Sequence, residues 1–370
     1  MANTIEPNLK KIEGIDGLRA IAALLVFSAH VTIPYLGGGG IGVDIFFAIS
    51  GFLITLTFVR NKEDLLKFWF NRAFRIYPPL VVTAILACFG ILLTHQTSIK
   101  ELSNNFFPAV LGVANFARYI IDSPTFLGHY WSIAVEEQFY LFYPIAFILI
   151  SKFFKEWRAG VFLVLAILVC GYRAFLFKYL QVDVGELSQR TDTRIDGLIL
   201  GVAPALSSPL TQKRVGRLWP LALIGLSVAI VYPKWWHPWL YLGGFGLLSL
   251  ASCVILANLA SNPEGLLSRV LSVRPLQRIG EFSYSFYLFH FPIVRIFHSF
   301  GIKSDLVFIV FTLLTTLICA FASWKFLERP ILESRVRHFT NWPYSRKVAL
   351  VSWLPISFIL GILYLCMASK

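Results

Sequence analysis

Apolar runs of about twenty residues, separated by short polar stretches, recur along the whole 370-residue chain. A run of that length crosses a ~30 Å hydrocarbon core as a helix. None shows the period-two alternation of a barrel strand, so helices are the reading. The runs fall near 17–35, 43–60, 78–94, 132–151, 160–178, 195–208, 218–233, 239–258, 280–299, 305–325 and 347–367. The segment 106–121 is a further candidate, but Pro108, Asn115 and Arg118 interrupt it, which predicts a surface or re-entrant helix. The fold class expected is all-α: a polytopic transmembrane bundle of about 10–12 spans.

Composition agrees, with 57% hydrophobic and 14% charged residues. The net charge of +13 could point to nucleic acid, but the basic residues sit in short loops between apolar runs, as cytoplasmic loops do. No nucleic-acid partner is expected; the partner is the bilayer. A cytoplasmic N-terminus, with Lys10 and Lys11 inside, places 22 of the 33 basic residues in inside loops. Counting 106–121 as a full span would invert every later loop and destroy that asymmetry. The C-terminus is then external. The five cysteines lie inside apolar runs without metal or disulfide spacing, and no metal is predicted. The chain reads as one integral-membrane domain over 1–370, with a motif-bearing core at 14–330 and a C-terminal span at 347–367. No fused soluble hydrolase-like domain is expected.

Ionisable groups inside spans are functional candidates by default. Arg19 begins the first span and His30 lies eleven residues on, about 16 Å deeper. Read blandly, Arg19 snorkels and His30 is a satisfied core histidine. After the glycine-rich turn from Pro34 to Gly40, Asp44 opens the second span. A hairpin would bring Asp44 to the depth of His30, where a carboxylate would fix the imidazole tautomer and raise its basicity. The alternative is a buried polar pair that only locks two helices. In the next inside loop, Arg72 and Arg75 are three apart and share a helical face, which suits a phosphate clamp. Positive-inside anchoring is the simpler account.

These residues stand within ordered segments that resemble the acyltransferase-3 family, membrane O-acyltransferases acting on cell-surface carbohydrates. Its arginine–ten residues–histidine pattern matches Arg19 to His30, its GVDxFFxxSGFLI segment Gly42 to Ile54, and its RIYPP loop Arg72 to Pro79. Its WSxxxEEQFYLxxP helix matches Trp131 to Pro144. Thr193–Leu198, Ile279–His290 and Glu328–Pro330 resemble three further elements.

The resemblance implies transfer of an acyl group, usually acetyl, from coenzyme A: acetyl-CoA or another acyl-CoA as donor, a carbohydrate or glycolipid as acceptor. It implies that His30 is the catalytic histidine with Arg19 its companion, and that Arg72 and Arg75 bind the donor; their positions add Asp44 and Glu136 as catalytic candidates and Arg19, at the cytoplasmic face, as a third donor-binding arginine. Trp131, Glu137, Arg194 and Asp196 are expected on the acceptor side with His129 and Tyr130, although aromatic residues also gather at any membrane interface. His290 and Glu281 are weaker candidates. The expected location is the bacterial inner membrane, multi-pass. A rival is a transporter with a His30–Asp44–Glu136 proton relay; such a protein would show internal two-fold symmetry, which is absent from the sequence.

Overall fold

The computed structural model describes residues 12–33, 35–94, 97–121, 126–232, 234, 236–301 and 306–369. Lys10, Lys11 and Pro34 lie outside them. Among the described residues there are helices and turns and no strand. The principal helices are α1 (Ile15–His30), α2 (Gly42–Arg60), α3 (Leu65–Leu92), α4 (Trp131–Phe153), α5 (Arg158–Lys178) and α6 (Asp196–Leu206). They continue as α7 (Trp219–Val231), α8 (Phe245–Ser261), α9 (Ser283–Ser299), α10 (Leu306–Ser323) and α11 (Tyr344–Ala368).

Each of the eleven apolar runs is helical, yet not each is long enough to span. Among the described residues seven helices are long and apolar enough to cross a membrane, or eight if Pro209–Gly216 and α7, bent by 54°, form one broken span. The protein is a multi-pass membrane protein. Helices α1, α6, α7 and α9 have 16, 11, 13 and 17 residues, short of the ~20 that a hydrocarbon core requires. Hydropathy registers their apolar content; the turns that cut them short are set by packing. The 106–121 segment is two short helices, Ile99–Val110 and Ala114–Ile120, separated at Gly112 with φ +70°. That left-handed conformation favours glycine.

Burial separates centre from rim. Protein covers 72% of the α2 span and 67% of that containing α8, against 22% for α5, 22% for α10 and 17% for α11. The rim helices turn leucines, valines and phenylalanines outward, as lipid contact demands. At the centre, α2 and α6 cross at backbone distance: a Cβ on Gly51 would stand 2.0 Å from the Leu198 carbonyl, and one on Gly201 2.3 Å from that of Ala48. Small residues permit such approach inside a membrane.

One expectation needs correction. Arg72 and Arg75 do not lie in a loop; α3 begins thirteen residues before Pro78 and carries both. Asp64 starts it by accepting from the Lys67 N–H at 2.9 Å, an N-cap that satisfies an otherwise orphaned donor. Pro78 and Pro79 sit inside the helix without ending it.

Candidate active site

At the end of the bundle where α1 begins, a cavity of about 390 Å³ opens between α1, α2, α3, α4 and α9. Each helix gives it one stripe at helical spacing. Ile15, Asp16 and Arg19 come from α1, and Val43, Phe46, Phe47, Ser50 and Thr57 from α2. Arg72, Arg75 and Ile76 come from α3, Ser132, Glu136 and Tyr140 from α4, and Ser283 and Tyr287 from α9. Arg335, on the helical stretch that prolongs α10, completes the wall.

The charge of this cavity is unbalanced. Among the described residues, the side chains of Arg19, Arg72 and Arg75 make no hydrogen bond and no ion pair. Arg72 instead lies against aromatic faces, 5.9 Å from the Phe68 centroid and 5.7 Å from that of Tyr140, and its Nε is buried without a partner. Glu136 accepts from the Tyr140 hydroxyl at 3.0 Å, and that hydroxyl also meets Ser50. Guanidiniums that converge on a cavity with fewer carboxylates than arginines, and bond to none of them, form a place where an anion would be held by charge-assisted hydrogen bonds.

His30 lies outside this cavity, at the far end of the same helix. Eleven residues are three turns plus about 20°, so Arg19 and His30 share a face of α1, about 16 Å apart. Around His30 are His129, His290 and Phe291. His30 Nδ1 is 2.9 Å from the Val26 carbonyl oxygen and 3.2 Å from His290 Nε2. The His290 ring is 5.1 Å from that of His30 and 5.1 Å from that of His129. Between this cluster and the cavity stands Tyr287. Its ring is 5.2 Å from His290, and its hydroxyl donates to the His129 carbonyl at 2.9 Å and meets Ser132 Oγ at 2.6 Å. Among the described residues no group of three His, Cys, Asp or Glu is arranged to hold a metal ion.

The expected pairing of Asp44 with His30 is not what the structure shows. Asp44 binds Arg194 Nη2 at 2.9 Å, and Arg173 binds Asp196 at 2.9 Å. The reason lies in the pitch of α2: Asp44, Ala48 and Gly51 form the stripe facing α6, whereas Val43, Phe47 and Ser50 form the one facing the cavity. Arg194 also lies 3.5 Å over the Phe245 ring and 5.7 Å from that of Trp131. The four charges are 3% exposed or less and sum to zero.

Glu136 and Trp131 are separated in the same way, because five residues turn a helix by about 140°. Glu136 faces the arginines, and Trp131 packs edge-on against Phe47. Glu137 points away from both, toward Gly112 and a smaller cleft against α11. Glu281 pairs at 3.2 Å with Arg278.

The family model of the acyltransferase-3 acyltransferase domain matches residues 12–325. The chain belongs to the acyltransferase-3 family. Relatives within reach include the O-acetyltransferase OatA of Staphylococcus aureus (strain NCTC 8325 / PS 47), 31% identical over 362 residues, which are 90% of this chain and 59% of OatA. A second S. aureus protein (strain COL), provisionally named an O-acetyltransferase, is 30% identical over 95% of this chain and 63% of its own length. The chain thus spans about three fifths of the length of these curated relatives. No solved structure matches it.

Within the acyltransferase-3 domain, sequence reading missed Arg335, Tyr140, Tyr287 and Arg173 as parts of the polar interior. Tyr140 and Tyr287 stand inside the motif segments, four residues from Glu136 and three from His290, so helical spacing alone could have placed them. For Arg173 the only signal was an arginine within an apolar run. Arg335 carried none.

Proposed function

We propose that this chain is a multi-pass membrane O-acetyltransferase that moves an acetyl group from cytosolic acetyl-CoA to a hydroxyl of an extracytoplasmic carbohydrate or glycoconjugate, in a bacterial inner membrane. The observation that carries the reading is the layout of α1: unpaired arginines gather around a cavity at one end, and His30 lies three turns away on the same face. Coenzyme A has phosphates at one end of a thin pantetheine arm and the thioester at the other. Arg19, Arg72 and Arg75 would hold the phosphates, and the arm would follow α1 toward His30.

The chemistry follows from the donor and acceptor. His30 takes the proton of the acceptor hydroxyl as its oxygen attacks the thioester carbonyl. The C–O bond forms, the C–S bond breaks, and the imidazolium returns its proton to the departing thiolate. The products are the acetyl ester and free coenzyme A. Glu136, beside the arginines, would limit their repulsion before the donor arrives. The distribution of basic residues supports a cytoplasmic N-terminus, which puts the arginine end on the side where coenzyme A is found.

A proton-relaying transporter finds less support. Its three residues are dispersed: Asp44 is bound to Arg194, Glu136 to Tyr140, and His30 to Val26 and His290. The test uses membranes holding the full chain and [14C]acetyl-CoA, with label followed into lipid-linked and polymeric sugars. His30→Ala should lower transfer about 10²–10⁴-fold, the usual worth of a general base, with acetyl-CoA binding retained. Wild-type turnover by a folded His30→Ala protein would refute the base role.

A further inference from the structure

The three imidazoles beyond Tyr287 carry information in their hydrogen bonds. A carbonyl oxygen only accepts, so a ring nitrogen facing one must bear a proton. His290 Nδ1 is 2.6 Å from the Tyr287 carbonyl oxygen, and His129 Nε2 is 3.0 Å from that of Leu288. Each ring, when neutral, then has a bare second nitrogen. For His129 that is Nδ1, buried and without a partner. For His290 it is Nε2, which faces His30 Nδ1 at 3.2 Å. His30 Nδ1 also faces the Val26 carbonyl at 2.9 Å. Both neighbours of His30 Nδ1 are therefore acceptors, and the proton of the neutral ring must sit there.

From this arrangement we infer that His290 is a positioning residue for the transfer reaction: through its bare Nε2 it acts with the Val26 carbonyl to hold His30 in the Nδ1–H tautomer and leaves His30 Nε2 as the base. The inference rests on the acetyltransferase reading above only for its kinetic consequence. The Val26 carbonyl belongs to the same helix turn as His30 and fixes height along α1. His290 comes from α9 and fixes the ring across the helix–helix gap, which the backbone contact cannot do. Which nitrogen of a histidine is free to react is set by the bond its other nitrogen makes. His290 is 1% exposed, so water does not compete for its Nε2, and its own orientation is fixed by the Tyr287 carbonyl. Phe291 closes the other side, its ring 4.8 Å from that of His30. Among the described residues no carboxylate is bonded to any of the three rings, so the cluster works with neutral acceptors where hydrolases use an aspartate.

The discriminating pair of variants is His290→Gln, whose side-chain oxygen can reach the place of Nε2, and His290→Phe, which keeps the ring and removes the acceptor. The full chain, labelled with [15N]histidine, is studied in lipid nanodiscs, and the His30 signals are assigned by their loss in His30→Ala. Wild type and His290→Gln should show His30 protonated at Nδ1 and bare at Nε2; His290→Phe should show a second population protonated at Nε2. Acetyl transfer by His290→Phe should fall about 10-fold, the worth of one hydrogen bond, with KM for acetyl-CoA unchanged, and His290→Gln should stay within about threefold of wild type. A single Nδ1–H tautomer in His290→Phe, or a wild-type His30 protonated at Nε2, would overturn the assignment. Equal kinetic losses in both variants would assign His290 to packing instead. Absence of acetyl transfer in wild type, with the expected tautomers present, would refute the donor reading and uphold the His30–His290 assignment.

Discussion

Removing the carboxylate of Asp44 separates a structural from a chemical role for this residue. Asp44 is 2% exposed and Arg194 3%, and among the described residues their 2.9 Å contact is the one ion pair either makes. Asp196, the other acid of the network, is already bonded to Arg173 and Cys170. In Asp44→Ala, Arg194 keeps its charge and loses its counter-ion, while its Nε and Nη1 already lack hydrogen-bond partners. Stranding a buried charge in this way costs about 3–5 kcal/mol in soluble proteins, and placing an unpaired arginine at the centre of a membrane helix costs about 2.5–3.5 kcal/mol on insertion scales. The loss of a neutral hydrogen bond within a membrane averages only about 0.6 kcal/mol, so the charge term decides. A loss near 3 kcal/mol should lower the melting temperature by roughly 6–12 °C, from the 2–4 °C per kcal/mol typical of domains of 150–250 residues.

The assay is thermal unfolding of detergent-purified protein followed by tryptophan fluorescence, with acetyl transfer measured well below the transition. Asp44→Asn should lie between wild type and Asp44→Ala, because it keeps an acceptor and loses the charge. Asp44→Leu/Arg194→Met should recover most of the loss, since replacing both members of a buried pair by apolar groups is close to neutral. If Asp44→Ala melts with wild type and loses only turnover, the carboxylate acts on the reaction and the clamp argument is wrong.

The remaining expectations concern the cavity and the helix crossing. Arg72→Ala and Arg75→Ala should each raise KM for acetyl-CoA about 10–100-fold, the worth of a charge-assisted hydrogen bond of about 1.5–3 kcal/mol. Arg75→Ala should leave the melting temperature unchanged, because among the described residues Arg75 has no hydrogen bond or ion pair to lose, and Arg72→Ala should lower it only slightly, through the loss of its contacts with the Phe68 and Tyr140 rings; a large fall in stability with unchanged KM would contradict the anion-site reading. Gly51→Val should abolish folding, as a Cβ there would lie 2.0 Å from the Leu198 carbonyl oxygen. Gly225→Ala on α7, where a Cβ meets nothing within 4 Å, should leave the melting temperature within a degree or two. Equal expression and melting of both variants would refute the tight α2–α6 crossing.

How much of this was legible depends on the range of the interaction. Hydropathy located all eleven helical runs because apolar content is local. It overcounted the long spans because the ends of α6 and α9 are set by what they pack against. The correct partner of Asp44 was partly visible: with 3.6 residues per turn, Asp44 falls in line with Ala48 and Gly51 and out of line with Phe47 and Ser50. That stripe of small residues signals a close helix crossing, not a cavity. That Arg194 waits across the crossing was not visible, since 150 residues separate the two. The histidine cluster shows the same limit. His30, His129 and His290 come from three different segments, and only the packing of α9 between α1 and the turn preceding α4 brings their rings together.

The position of Tyr287 turns the two halves of the site into one device. Its ring lines the cavity and stands 5.2 Å from His290 and 5.5 Å from His129, while none of the three histidines lines the cavity. On the proposed reading, a donor held by the arginines would meet this ring before it met His30. The Tyr287 hydroxyl donates to the His129 carbonyl at 2.9 Å and shares a 2.6 Å hydrogen bond with Ser132 Oγ, which ties α9 to the start of α4. Two such bonds are worth about 1–3 kcal/mol, enough to keep the wall closed and small enough for bound donor to displace it. A closed wall would also keep water from the thioester of the proposed donor, for which water is a competing acceptor. Tyr287→Ala should raise acetyl-CoA hydrolysis relative to sugar acetylation by about 10-fold, the equivalent of one of these bonds, with KM for acetyl-CoA little changed because the arginines are untouched. Tyr287→Phe, which keeps the ring and loses both bonds, should show a smaller rise. If hydrolysis and acetylation fall together in Tyr287→Ala, the ring shapes the site without partitioning it, and the separation of donor cavity from histidine cluster has no role in excluding water.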